Sequence, residues 1–431
     1  MNDLKNAAQA IAYIHSLPHL HPDKSLKYVQ HALKKLGNPQ QKLKTIHVTG
    51  TNGKGSVCYY LTNLLVTTGL KVGTFASPYV TAFNERIQIN GQPISDADLL
   101  DLTQQIAAVV QQIQVHDATF CLTEFEFLTV MMFQFFAAEK VDFGVIEVGI
   151  GGEYDKTNVI IPEVAIITNI GMDHAQLIGP TLKDIAHEKS GIIKSKRPLV
   201  LGEIPASVQD VIEHKAQLMQ APIYQYGKDF QIDHVQLNSE EALTFDWHDQ
   251  QQHFQDLKVA SFAPTQAIDA AIALKAYWLL FPQKISTAEI KAGLAAASLP
   301  ARTQIISHDP LIILDGAHNL PAIKALLTNI VPLRQKRRLH ILYAAMVDKD
   351  RTAILHELAN YADDIIITTL DEKRAAKNSD YSALTAQEHY IAPWQVAFAQ
   401  AITSLDNESI LLICGSLHFA SAILELLQQN D

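Results

Sequence analysis

The stretch TIHVTGTNGKGS, residues 45–56, constrains this chain more than any other segment. Residues 45–49 are mostly β-branched or apolar and read as a short buried strand. The strand runs directly into a turn with glycines at 50, 53 and 55. A helix pattern follows over 56–68 and is closed by Gly69. Glycines let a backbone turn tightly and approach an anion closely. A helix start offers unpaired N–H groups and the positive end of its dipole. Lys54 adds a point charge suited to the outer phosphates of a nucleotide. The spacing departs from the common GxxxxGK[ST] pattern, because Gly55 separates Lys54 from Ser56. Strand, turn, lysine and helix together predict a phosphate loop.

A strand feeding such a loop belongs in a parallel sheet, and the rest of the chain agrees. Strand patterns at 72–75, 143–148 and 164–168 alternate with helix patterns at 125–140 and 182–192. This alternation predicts a mostly parallel sheet with helices on both faces. Residues 230–258 change texture to short alternating runs, read as a small antiparallel β excursion before a helix over 266–280. A turn-like LPAR, residues 299–302, follows. Alternation then restarts, with strands at 311–314, 339–344, 365–369 and 410–414 and helices at 321–330, 352–361, 394–404 and 419–428. The expected fold is α/β: a P-loop-type, mostly parallel N-terminal domain over 1–297 and a Rossmann-like C-terminal domain over 298–431. Ligands of such folds sit beyond the carboxyl ends of strands, so residues just after strands carry the most weight.

Composition narrows the function. The 431 residues are 48% apolar and 18% charged, with 34 Lys+Arg against 45 Asp+Glu, a net charge of −11. That profile is globular, not disordered, collagenous or coiled-coil. It argues against sequence-independent duplex binding, which needs basic surface. Three dispersed cysteines (Cys58, Cys121, Cys414) form no CxxC, which argues against a disulfide scaffold or zinc ribbon. The apolar stretch 125–138 is interrupted by Glu126, Thr129 and Gln134 and is too short to span a bilayer. The opening residues show no basic segment leading into an apolar core, so no signal peptide is expected. The expectation is a reduced, cytoplasmic protein.

Several polar residues lie at predicted strand ends. Glu147 closes FGVIEV and leads into GIGG. Asp173-His174 follows VAIITN. Asp315-Gly316-Ala317-His318-Asn319 follows LIIL, with Arg302 thirteen residues earlier. Gly415-Ser416 follows the last strand. Taken singly, each has a bland reading: a solvated strand end, a packed histidine, a surface arginine. Glu188-Lys189 alone reads as surface decoration. Thr123-x-x-Glu126 fits a helix capping box. Mg²⁺ prefers oxygen ligands and keeps waters, so spacing alone does not select His174 for it.

Together, HVTGTNGKGS, SPYVTAFNERI, VIEVGIGGEYDKTNVI, ITNIGMDHAQLIGPTLKDIAHEKSGIIK, LPAR and ILDGAHN resemble the folylpolyglutamate synthase/dihydrofolate synthase family. That family belongs to the Mur-ligase-type ATP-dependent amide ligases. The motifs occur in order from about residue 10 to residue 425. The resemblance implies that Thr51, Asn52, Gly53, Lys54, Gly55 and Ser56 hold ATP phosphates, with Arg302 and Asp315 also contacting ATP. It implies Ser77, Glu147 and His174 as Mg²⁺ ligands, and Lys189 as a carbamylated lysine for a second Mg²⁺. His318 and Ser416 would bind glutamate, and Lys54, Lys189 and His318 would serve catalysis. Partners would be small molecules only (reduced folate, L-glutamate and ATP), acted on by a monomer without nucleic acid or membrane.

The implied activity is folylpolyglutamate synthase, with dihydrofolate synthase as the alternative or a second activity. A nucleotide switch without ligase chemistry and a Mur cell-wall ligase are further alternatives. The chain also departs from the family pattern: Glu153 stands in place of an arginine, Asp269 in place of an asparagine, and Ala301 in place of a glycine before Arg302.

Overall fold

The computed structural model describes residues 4–238, 241–282, 286–297, 299–334, 336–381 and 384–428. The chain divides into two compact units. The first comprises Met1–Gln236, Thr244–Ala260 and Gln266–Ala297; the second comprises Leu237–Leu243, Ser261–Thr265 and Ser298–Asp431.

The first unit opens with α1 (Ala7–His15) and α2 (Lys27–Lys35). Then come β1 (Thr45–Thr49), α3 (Lys54–Thr67), β2 (Val72–Phe75), β3 (Ile87–Ile89), β4 (Gln92–Pro93), α4 (Asp96–Gln114) and α5 (Glu124–Ala138). Next are β5 (Phe143–Glu147), β6 (Val164–Asn169), a single turn α6 (Ala175–Ile178), α7 (Leu182–Ser190), β7 (Leu199–Glu203), α8 (Gln209–Met219) and β8 (Ile223–Gln225). These eight strands form one sheet in the order β4-β3-β2-β5-β1-β6-β7-β8. From β2 to β8 all neighbours are parallel; β3 and β4 append antiparallel. The strands β9 (Phe230–Leu237), β10 (Leu243–Asp249) and β11 (His253–Val259) make a separate small sheet, followed by α9 (Pro264–Leu280) and α10 (Thr287–Ala295).

Local chemistry accounts for the elements that matter most. Thr123 and Glu126 form the expected capping box at the start of α5: Thr123 Oγ1 accepts from the Glu126 N–H, and the Glu126 carboxylate accepts from the Thr123 N–H. α5 is apolar on nearly every side because it is buried on nearly every side. With α1, α2 and α4 it encloses a core that includes Phe127, Phe133 and Phe136 and reaches Phe75 and Ile146 of the sheet. Burying each such ring stabilises the fold by about 1.5–3 kcal/mol. Gly73 on β2 is required by this contact, since a Cβ there would lie 2.7 Å from the Phe136 ring. Elsewhere α7 and α8 pack on β6 and β7 through Ile185, Ala186, Ile212 and Leu201.

The second unit contains β12 (Gln304–His308), β13 (Leu311–Leu314), α11 (Leu320–Arg334), β14 (Arg338–Ala344), α12 (Arg351–Ala359) and β15 (Asp364–Thr368). It closes with β16 (Glu388–Tyr390), α13 (Trp394–Thr403), β17 (Ser409–Cys414) and α14 (Leu417–Gln428). Its sheet order is β12-β13-β17-β14-β15-β16, parallel except for β12. The alternation expected from sequence is therefore present in both units. Among the described residues, no helix is long and apolar enough to cross a membrane.

Candidate active site

The loop 50–56 leaves the carboxyl end of β1, between β5 and β6. Chain order reverses around this strand: β2 and β5 lie on one side, β6 and β7 on the other. Such a switch point opens a crevice for ligands. Parallel neighbours lie about 4.8 Å apart, so the residues that end β2, β5, β1 and β6 share one rim. Four sequence-predicted positions sit there: Ser77 beyond β2, Glu147 at the end of β5, the loop 50–56 beyond β1, and His174 beyond β6.

The loop is strapped to the end of β6. Thr51 N–H donates to the Asn169 carbonyl (3.2 Å), and Asn52 N–H donates to Asn169 Oδ1 (2.9 Å). The Thr51 hydroxyl donates to the Gly171 carbonyl (3.0 Å) and accepts from the Gly171 N–H (2.9 Å). Gly53, at φ +79°, precedes Lys54, the first residue of α3. A Cβ on Gly53 would strike Asp269 of α9, meeting Oδ2 at 2.9 Å and Cγ at 3.0 Å. The Asp269 carboxylate thus packs directly against the loop.

Two lysines converge on one carbonyl. Lys54 Nζ donates to the Gly50 carbonyl (3.1 Å) and the Thr51 carbonyl (3.2 Å). Lys189 Nζ, near the end of α7, donates to the same Gly50 oxygen at 2.7 Å. Lys189 is only 4% exposed. Burial pulls its ammonium well below the ordinary lysine range. Lys54 pulls the same way, while Asp173, Asp155 and Glu188 oppose. The surface-decoration reading of Glu188-Lys189 is therefore wrong for Lys189: helix α7 carries it into the wall of a pocket that Thr51, Lys54, Gly151, Asp173 and His174 also line. The Lys54 charge in this pocket favours an anion, and the buried Lys189 amine stands beside it.

The oxygen donors suit a hard divalent cation. Glu147 Oε2 accepts from the Ser77 N–H (2.9 Å), and the carboxylate stands 3.8–3.9 Å from where a Cβ of Gly55 would be. Ser56 Oγ is buried without a hydrogen-bond partner at the third position of α3. A carboxylate, an unsatisfied hydroxyl and phosphate oxygens match Mg²⁺ chemistry. His174, at φ +50°, keeps its backbone N–H on Asp173 Oδ1 (2.9 Å), with Nε2 3.8 Å from Asp173 Oδ2. Among the described residues, no three His, Cys, Asp or Glu side chains gather into a metal-binding cluster.

In the second unit the predicted residues also follow neighbouring parallel strands. Asp315 follows β13 and is buried. It accepts from the Thr303 N–H and the Ala317 N–H, both at 2.7 Å. Burial raises its carboxyl above the usual range, while the Arg302 charge opposes that rise. Arg302 lies against Gly316, where a Cβ would come 2.9 Å from its Nη1. His318 Nδ1 lies 2.8 Å from the Gly316 carbonyl and therefore donates to it. Beyond β17, the Gly415 N–H donates to the Ala317 carbonyl (2.8 Å), which joins the His318 loop to the turn carrying buried Ser416.

The sequence reading gave no role to Asp155, Thr157 or His47. All three are buried and linked to one another behind the pocket wall. DKTN lay in plain view in a quoted motif, but nothing in its spacing announces burial.

Comparison with known proteins is consistent along the chain. The Mur ligase middle domain model matches residues 97–274, and the Mur ligase glutamate ligase domain model matches residues 301–417. Folylpolyglutamate synthase of Lacticaseibacillus casei is 36% identical, with 98% of this chain and 99% of that protein covered. Dihydrofolate synthase/folylpolyglutamate synthase of Bacillus subtilis is 33% identical over 90% of this chain and 91% of that protein. A solved folylpolyglutamate synthase complex with AMPPCP and folate superposes with a TM-score of 0.88 at 34% identity, covering 98% of this chain and 100% of that one.

Proposed function

The chain belongs to the folylpolyglutamate synthase/dihydrofolate synthase family of Mur-type ATP-dependent amide ligases, and on that footing we propose that it adds L-glutamate to tetrahydrofolate-(Glu)n at the expense of ATP. The observation that carries the reading is the convergence of the loop 50–56, Lys54 and Lys189 at the carboxyl end of β1, one strand away from Glu147.

The chemistry follows from a difficulty. A carboxylate is a poor electrophile at neutral pH, so ATP first converts the folate carboxylate into an acyl phosphate. Residues 51–56 hold the phosphates, with N–H groups at the start of α3 donating to them, while the Thr51 and Asn52 N–H groups brace the loop on Asn169. Lys54 neutralises charge on the transferring group. The amine of glutamate then attacks the acyl carbon, a tetrahedral centre forms, and phosphate leaves. Products are ADP, phosphate and a folate longer by one glutamate. Arg302 and Asp315 take part in nucleotide binding, and His318 and Ser416 in holding glutamate. Ser77, Glu147 and His174 would hold Mg²⁺, which would supply charge neutralisation on the phosphates.

Lys189 is read as a carbamate. A neutral amine attacks CO₂, an N–C bond forms, a C=O π pair moves to oxygen, and an N–H proton leaves to water. Burial of Lys189 beside Lys54 favours the neutral amine this step needs. The carbamate oxygens would suit a second Mg²⁺. The same reading makes the protein a cytoplasmic monomer acting on small molecules.

The test is ADP release that depends on both glutamate and tetrahydrofolate, with product mass analysis. A mass increment of one glutamyl unit supports the assignment. ADP release indifferent to folate refutes it. Dihydrofolate synthase is the second reading, favoured by the double name of the B. subtilis relative. Dihydropteroate in place of tetrahydrofolate distinguishes the two activities.

A further inference from the structure

His47 lies in the middle of β1, between β5 and β6, and is fully buried. The ligase chemistry above gives it no task. A buried imidazole is costly unless hydrogen-bonded. Its Nε2 stands 2.8 Å from Thr157 Oγ1, while Nδ1 has no partner. The Thr157 hydroxyl makes a short contact with Asp155 Oδ1, which also accepts the Thr157 N–H at 3.0 Å. Asp155 Oδ2 accepts the Ile150 N–H at 3.0 Å and would lie 3.2 Å from a Cβ on Gly149. Gly149, Ile150 and Gly151 line the nucleotide pocket. The chain of contacts therefore runs from the central strand to the pocket wall.

Each bond in it has a direction. Burial raises the Asp155 carboxyl above its usual range, while its hydrogen bonds from Thr157, Ile150 and Gly149 oppose that rise; ionised, Asp155 only accepts, so Thr157 donates its hydroxyl hydrogen to Asp155. The Thr157 oxygen then accepts from His47, which must carry its hydrogen on Nε2. The reverse chain needs a protonated Asp155 and a hydrogen on His47 Nδ1. That N–H would be buried without an acceptor, and orphaned buried N–H groups are rarer than unsatisfied acceptors. The bare Nδ1 decides the direction.

We infer that His47 is a positioning residue for this site: its Nε2–H, relayed through the Thr157 hydroxyl, keeps Asp155 an ionised acceptor that clamps residues 149–150 of the pocket wall. Two further facts fit. Burial and the nearby Lys194 charge hold the imidazole neutral, with its pKa pulled down to about 3. The Asp155 charge acts on Lys189, so the clamp bears on the electrostatics of that amine. The consequence for turnover rests on the ligase reading above; the hydrogen positions do not.

The first experiment is long-range ¹H–¹⁵N correlation on the wild-type protein, selectively ¹⁵N-labelled at histidine, at pH 7. The expected result is a hydrogen on His47 Nε2 and a bare Nδ1. A hydrogen on Nδ1 overturns the inference whatever the protein catalyses. The second experiment compares His47→Gln, which keeps a donor, with His47→Phe, which does not. Both are checked for fold by circular dichroism and thermal melting. Glutamate-dependent ADP release should fall about tenfold or more in His47→Phe, mainly in kcat, and recover most of that loss in His47→Gln. Equal kcat in two folded variants refutes the positioning role. If wild-type protein releases no ADP with glutamate and folate, the ligase reading falls, while the tautomer measurement still decides the chain.

Discussion

Gly53→Ala tests how tightly the loop 50–56 is built. Gly53 has φ +79°, and a Cβ there meets the Asp269 carboxylate. Gly69, at φ +81°, has nothing within 4 Å of the same hypothetical atom. The pair separates two effects. Alanine in the left-handed region costs about 1–2 kcal/mol through its own backbone. Forcing a side chain into an already packed contact adds about 1–3 kcal/mol. Gly69→Ala should therefore lose about 1–2 kcal/mol, and Gly53→Ala about 2–5 kcal/mol. Asp269→Ala removes the obstructing carboxylate, so the double variant Gly53→Ala/Asp269→Ala should show favourable coupling of about 1–3 kcal/mol. Urea unfolding gives the global losses, and amide exchange in α3 and α9 locates them. Nucleotide affinity should fall in Gly53→Ala and not in Gly69→Ala. Equal losses for the two single variants, or no coupling in the double, would refute the packing argument.

Three further outcomes are expected. Lys54→Ala should abolish ADP release while the melting temperature stays close to wild type, because the side chain serves the loop and not the core; activity within about tenfold of wild type would contradict its role. Asp249→Asn breaks the buried pair that Asp249 makes with Lys275 at 2.7 Å and leaves a lone buried ammonium, so it should cost about 3–5 kcal/mol in denaturant unfolding. The wild-type protein should lose stability on acidification partly through His47. Its folded pKa lies near 3 against about 6.5 unfolded, so the unfolded chain binds the extra proton first as pH falls. That contribution is fully present above about pH 6.5 and amounts to a loss of about 2 kcal/mol by pH 5. His47→Gln should flatten this part of the pH–stability curve, and an unchanged slope would count against it.

Much of the architecture was legible because the two units repeat one local logic. Apolar runs such as FGVIEV and SILLIC end in turns, and each forms a parallel strand. Other elements were passed over although their signals were present. α4 begins with Ser95 capping Asp98 and buries Leu99, Leu102, Ile106, Val109, Val110 and Ile113 at helical spacing. Short strands such as β4 and β16 carry too few residues for a period to register. In the site, the loop 50–56 and Glu147 could be read because their positions follow strands. Spacing alone could not place Lys189, which only the family resemblance singled out: a Glu–Lys pair looks the same whether the helix faces water or a pocket. Burial is a property of the assembled helix and sheet, and so is the His47–Thr157–Asp155 chain, whose members lie up to 110 residues apart.

One margin of the larger sheet is closed off by its own sequence. β4 is two exposed residues long and ends in Pro93, paired with Gln88. Proline has no N–H to offer a newcomer, and so brief a border is a poor template for a foreign strand. Open borders of this kind invite fibrous growth when chains crowd together during synthesis. Pro93→Thr would restore the missing donor there, and with it a route to strand-by-strand accretion.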